Sequence, residues 1–112
     1  MSYPKKVYIL FSFNEQGLIA GAYVGSSANV QERIRIHKNT QDGHGKQDQL
    51  HKLMRKNGYT YVVVDEIETC KDTYIEFDWL DFIIKRTNLT VFNNFISKKA
   101  NWKRISLKGE PV

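Results

Sequence analysis

The amino-acid sequence predicts a single small α+β domain: a three-stranded antiparallel sheet, made of an N-terminal hairpin plus a third strand, flanked by helices. Three observations carry that reading. Two β-branched and aromatic runs, 7–13 and 18–24, are separated by Asn14-Glu15-Gln16-Gly17, which is turn chemistry. A third such run, 59–67, follows two segments of helical period. The chain has 112 residues and no internal repeat or Pro/Ser-rich linker, which suits one core better than two. Residues 1–112 are therefore read as one domain, with a basic C-terminal tail over 97–112.

The first element is the hairpin. If Phe13 faces Leu18, paired residue numbers sum to 31 and Tyr8 stands directly across from Tyr23, both rings on one face. A bulge at Gly21 would shift that register by one. A helix follows: Asn29-Val30-Gln31-Glu32 fits a capping box, and the helix runs to about Asn39 with Val30 and Ile34 on its apolar face. Arg33 and His37, four apart, share one edge of that face. After a polar loop over 40–46, a second helix of roughly 47–57 buries Leu50, Leu53 and Met54 and stops at Gly58. The run 59–67 then reads as a strand whose Val62, Val63 and Val64 suggest burial on both faces. A third helix, about 73–86, gathers Ile75, Trp79, Leu80, Phe82 and Ile83 into an apolar arc. Asp78, Asp81 and Lys85 form its solvated stripe.

Charge is uneven along the chain. Residues 1–58 hold nine Lys or Arg against four acids (+5), residues 65–81 one against seven (−6), and residues 82–112 seven against one (+6), for a net charge of +5. That balance makes a polyanion the first partner to consider. Cys70 is the only cysteine, so no internal disulfide forms and a reducing, cytoplasmic or otherwise intracellular setting is expected. The apolar run 7–13 is too short to span a membrane, and no membrane partner is expected. His37, His44 and His51 recur every seven residues, but without cysteine partners the spacing reads as chance rather than as a zinc site.

Two constellations point to chemistry. Arg33 and His37 suit an anionic phosphate, one by a forked pair of donors and the other by imidazole. Glu76 projects into the apolar arc of the third helix, where a carboxylate is costly unless something uses it. Two readings of Glu76 stand. It closes a capping box with Thr73, or it holds a divalent ion such as Mg²⁺, which tolerates few protein ligands.

From Tyr8 through Asn94 the sequence resembles the GIY-YIG nuclease domain. Lys6-Val7-Tyr8 stands for the first strand motif and Tyr23-Val24-Gly25 for the second, followed by Ser26-Ser27-Ala28-Asn29, then Arg33 and His37. Lys6 replaces the first glycine, a position with no chemical role. Glu76-Phe77-Asp78-Trp79-Leu80 resembles the helix that supplies the family's metal ligand, and Asn93 or Asn94 resembles the asparagine that closes the motif set. The resemblance implies a divalent-metal-dependent endonuclease. Mg²⁺, or Mn²⁺ in its place, would be held by Glu76, and DNA phosphodiesters would be cut to 5′-phosphate and 3′-hydroxyl ends. Tyr8 and Tyr23 would handle the attacking water, with hydroxyls converging near Arg33, while His37 is a second candidate base or phosphate contact. Asn93 would support the site or touch the phosphate. Arg33, Lys38, Lys52, Lys98, Lys99, Lys103 and Arg104 would contact the backbone.

Sequence specificity is expected to be low, because 112 residues leave no room for a separate reading domain. Specificity would then come from a homodimer on DNA or from a partner protein, and RNA remains a possible substrate. A non-catalytic nucleic-acid-binding or accessory module of the same fold is the alternative. The small size suggests a phage, mobile element or defence system as source.

Overall fold

The structure is a computed structural model that describes residues 4–40 and 46–93. Strands β1 (Lys5–Phe13) and β2 (Ile19–Ser27) form the hairpin. Helices α1 (Val30–Asn39) and α2 (Lys46–Asn57), strand β3 (Tyr59–Ile67), helix α3 (Tyr74–Arg86) and the two-residue strand β4 (Thr90–Val91) follow. Local chemistry explains the boundaries. Asn14 Oδ1 accepts from the backbone N–H of Gln16 and Leu18, and Gly17 takes φ +82°, closing the hairpin. Asn29 caps α1 by accepting from the Glu32 N–H. Gly58 ends α2 at φ +98° with its N–H on the Met54 carbonyl.

The sheet is mixed and four-stranded rather than three-stranded and antiparallel, in the order β3-β1-β2-β4, with β4 parallel to β2 beside Gly21 and Ala22. A two-residue strand is too short to show alternation in sequence. It exists because Phe92 packs over Gly21 and donates its N–H to the Ala22 carbonyl at 2.9 Å. The hairpin register also differs from expectation. Tyr8 pairs with Gly25 and Leu10 with Tyr23, so pairs sum to 33, and the irregularity falls beside Ala20, between the Ser12–Gly21 and Phe13–Ile19 pairs. Gly21 serves instead to clear space for the Phe92 ring.

β1 is the strand buried on both faces. Val7, Tyr8, Ile9 and Leu10 are buried in succession, because β1 lies between β2 and β3 with helices above and below. Val7, Ile9, Ala22 and Val24 pack with Leu80 and Ile83 of α3. On the other face Tyr8 and Leu10 pack with Ile34 of α1 and Leu50 and Met54 of α2. β3 takes the sheet edge, so Val62 and Val63 are exposed and the expected two-sided burial of that strand does not hold. An irregularity at Val64, where Val7 pairs with Asp65 but Tyr8 with Val63, keeps its pairing to β1. In α3 the roles of two residues are reversed: Asp81 is buried and paired with Lys85 at 3.2 Å, while Phe82 is exposed beneath the Arg86 guanidinium. No helix among the described residues is long and apolar enough to cross a membrane.

A methyl group at Gly21 would lie 2.3 Å from a Phe92 ring carbon and 2.6 Å from Ser12 Oγ. Gly21→Ala is expected to cost about 1–3 kcal/mol of stability through overpacking. The double variant with Phe92→Leu should recover part of it, read as midpoints of urea unfolding.

Candidate active site

Tyr8 and Tyr23 reach one face of the sheet from neighbouring strands. Because Tyr8 pairs with Gly25, the two rings are diagonal neighbours rather than directly opposed, with centroids 6.5 Å apart. Gly25 permits this: an added Cβ would lie 2.6 Å from the Tyr8 hydroxyl oxygen and 3.0 Å from a Tyr23 ring carbon. The phenol of Tyr8 therefore lies across the bare backbone of Gly25.

Helix α1 closes over the pair. His37 projects inward with Ile34 and is buried; its Nε2 lies 3.1 Å from the Tyr8 hydroxyl and its Nδ1 3.0 Å from His51 Nε2 on α2. The Tyr23 ring meets the His37 ring edge-on at 4.9 Å between centroids. Burial, then the neighbouring His51, then the Arg33 charge push His37 down to about 4, so it is a neutral imidazole at neutral pH. Burial also pushes Tyr8 well above the ordinary tyrosine value, with Tyr23 and Glu76 adding to the shift and Arg33 opposing it. Tyr23 rises too, through burial and then Glu76, again against Arg33. Both phenols stay protonated at neutral pH. Arg33 is exposed one turn before His37, close enough for its charge to favour the ionised form of both tyrosines.

Glu76 stands in the first turn of α3, the helix covering the opposite face of the sheet, and its Oε2 accepts from Ser26 Oγ at 2.5 Å. The capping box with Thr73 does not form. Thr73 has helical backbone angles and makes no side-chain cap, because the chain is already turned at 70–72, where Thr69 caps by accepting from the Lys71 N–H. The half-buried Glu76 carboxylate thus faces the end of β2, and its charge reaches both tyrosines. One carboxylate beside the Ser26 hydroxyl fits Mg²⁺, which keeps several waters and takes further oxygens from a phosphate. No cluster of three His, Cys, Asp or Glu side chains suited to a metal occurs among the described residues.

Asn93 is fully buried; Asn94 lies outside the described residues. Its Oδ1 accepts from the Val24 N–H at 3.1 Å and its Nδ2 donates to the Val24 carbonyl at 2.8 Å. The carboxamide continues the β4 pairing by side chain and grips β2 between Tyr23 and Gly25. With both polar atoms so engaged, Asn93 positions the strand.

The basic residues are less concentrated. Lys38 is exposed near the end of α1, and Lys52 on α2 pairs with Asp48 at 3.3 Å. Lys98, Lys99, Lys103 and Arg104 lie outside the described residues. Sequence reasoning overlooked Ser26, which follows the second tyrosine motif, and the space-giving role of Gly25. The seven-residue spacing of His37, His44 and His51, read from sequence as chance, holds one real contact: His37 and His51 meet.

The family model described as the GIY-YIG catalytic domain matches residues 4–88 of the chain, a span holding Tyr8, Tyr23, Arg33, His37 and Glu76. No curated protein and no solved structure matches the chain.

Two outcomes follow from this geometry. Asn93→Ala leaves the Val24 N–H and carbonyl without their partners and should cost about 2–3 kcal/mol in urea unfolding. His37 takes a proton near its ordinary value when unfolded but only near pH 4 when folded. Between those limits the unfolded chain binds the extra proton, so stability falls as pH drops from above 6.5 towards 4, by on the order of 3 kcal/mol. Urea midpoints at pH 7.5 and pH 5 should show the loss, and His37→Phe should flatten it.

Proposed function

Since the chain belongs to the GIY-YIG catalytic domain family, we propose that it is a divalent-metal-dependent endonuclease that hydrolyses DNA phosphodiesters to 5′-phosphate and 3′-hydroxyl ends. The observation that carries this reading is the Glu76 carboxylate at the end of β2, turned to Ser26 instead of capping its own helix, with the Tyr8–His37 pair and Arg33 close by.

In-line attack on a phosphodiester needs an oriented water, neutralisation of the charge that builds on the phosphate, and help for the departing oxygen. Glu76 would hold Mg²⁺, which supplies Lewis-acid stabilisation to the phosphate and the leaving oxygen when bound. Arg33, exposed and charged, would fork onto the non-bridging oxygens. Burial keeps Tyr8 and Tyr23 protonated, so neither acts as a standing phenolate. Tyr8 can instead take a proton from water as it passes its own to neutral His37, whose Nε2 is within hydrogen-bond reach. Tyr23 would orient the same water through its hydroxyl. His37, uncharged and covered by Tyr8, is a poor phosphate contact and a good proton acceptor. Asn93 would act through Val24, by keeping Tyr23 in place.

DNA would be held mainly by backbone contacts, with Arg33 and Lys38 on the site side and the basic tail residues supplementing them. Binding would be roughly micromolar at physiological salt, falling steeply as salt rises and hardly changing with sequence. One site cuts one strand, so a monomer would nick before it linearises.

The test is a time course on supercoiled plasmid with Mg²⁺, with and without EDTA. Nicked circles should precede linear DNA, and EDTA should stop the reaction. Glu76→Ala should abolish cleavage while DNA binding and the circular dichroism spectrum stay intact, and Tyr8→Phe and Tyr23→Phe should each lower the rate ~10²-fold. Cleavage by Glu76→Ala at the wild-type rate would refute the metal assignment.

A further inference from the structure

His51 belongs to none of the motifs that define the site, yet it is buried on α2 with Nε2 3.0 Å from Nδ1 of His37. Its other ring nitrogen, Nδ1, is also buried and meets no hydrogen-bonding partner among the described residues. This pattern restricts where the protons lie. Burial lowers both histidines, Arg55 adding to the effect on His51 against Asp48, so each neutral ring carries one N–H at neutral pH.

Two arrangements satisfy both contacts of His37. In the first, the Tyr8 hydroxyl donates to His37 Nε2, His37 Nδ1–H donates to His51 Nε2, and only the His51 Nδ1–H lacks a partner. In the second, every donor is reversed. His51 Nδ1 then keeps an unmatched lone pair, and the Tyr8 proton meets no side-chain or backbone acceptor among the described residues, His37 Nε2 being the one polar atom paired with that hydroxyl there. One unmatched buried group costs less than two, so the first arrangement is favoured.

We propose that His51 is a positioning residue that locks His37 as its Nδ1–H tautomer, keeping Nε2 bare to accept the Tyr8 hydroxyl proton and leaving the Tyr8 oxygen lone pairs for the attacking water. The lock rests on hydrogen-bond geometry; its use in catalysis rests on the nuclease reading. A lock of this kind is how a second group commonly sets which imidazole nitrogen works.

Two-bond ¹H–¹⁵N correlation spectra of protein labelled at the histidine ring nitrogens read the tautomer directly, with His37→Gln assigning the signals. The expected wild-type result is His37 protonated at Nδ1. His51→Gln offers a carbonyl to the same N–H and should preserve the tautomer, with plasmid nicking within ~3-fold, whereas His51→Leu should release it and lower kcat ~10-fold or more at unchanged KM. His37 protonated at Nε2 in the wild type would overturn the lock, as would His51→Leu with tautomer and kcat unaltered. Should His51→Leu fail to fold, the wild-type tautomer and His51→Gln decide the matter. A wild-type protein with His37 protonated at Nδ1 but unable to cut DNA would support the lock while refuting the nuclease reading.

Discussion

The site depends on a phenol held inside the core. Tyr8 is part of the most buried strand, and its hydroxyl would be an unsatisfied polar group there without the hydrogen bond to His37. That one contact ties the sheet to α1, and the His37–His51 bond extends the tie to α2. Burial sets the chemistry as well. It keeps the phenol protonated and the imidazole neutral, so the pair can relay a proton but cannot hold a lasting charge.

Backbone spacing makes the arrangement possible. Gly25 gives the Tyr8 ring room to cross β2, Gly21 gives Phe92 room to bring β4 alongside, and Asn93 then clamps Val24 between them. Each device acts on β2, whose Tyr23 and Ser26 reach the two groups of the site from opposite faces of the sheet. The stretch 23–26 thus holds both the tyrosine whose ionised form the Arg33 charge favours and the serine that donates to the half-buried Glu76 carboxylate.

Much of this was legible in the sequence because its causes are local. The Asn14–Gly17 turn, the Asn29 cap and the Gly58 stop are satisfied within a few residues of themselves, and all three form. The inward turn of Glu76 followed from helical period alone. What was not legible depends on distant partners. Nothing near Thr90 announces a strand, since β4 exists only through its contact with Gly21 and Ala22. Val62 and Val63 look like core residues, but edge position decides their exposure. Asp81 looks solvated until Lys85 folds over it. The hairpin register shifted by two in two steps: the turn pairs Phe13 with Ile19 rather than Leu18, and the irregularity at Ala20, where no glycine marks it, adds the second. His51 stands apart: its signal was present as a spacing, and only the packing of α1 against α2 gave that spacing meaning.

If this small basic domain hydrolyses DNA as proposed, the oxygen on the 3′ side leaves and each cut carries a 5′-phosphate and a 3′-hydroxyl. The chemistry of the cut ends tests it most directly. Plasmid nicked by the protein in Mg²⁺ would be treated with DNA ligase, which reseals only 5′-phosphate beside 3′-hydroxyl. The nicked circles should become covalently closed without any prior end repair. Nicks that ligase seals only after a 3′-phosphate is removed and the 5′ end is phosphorylated, or DNA left whole by the protein under any divalent metal, would contradict it.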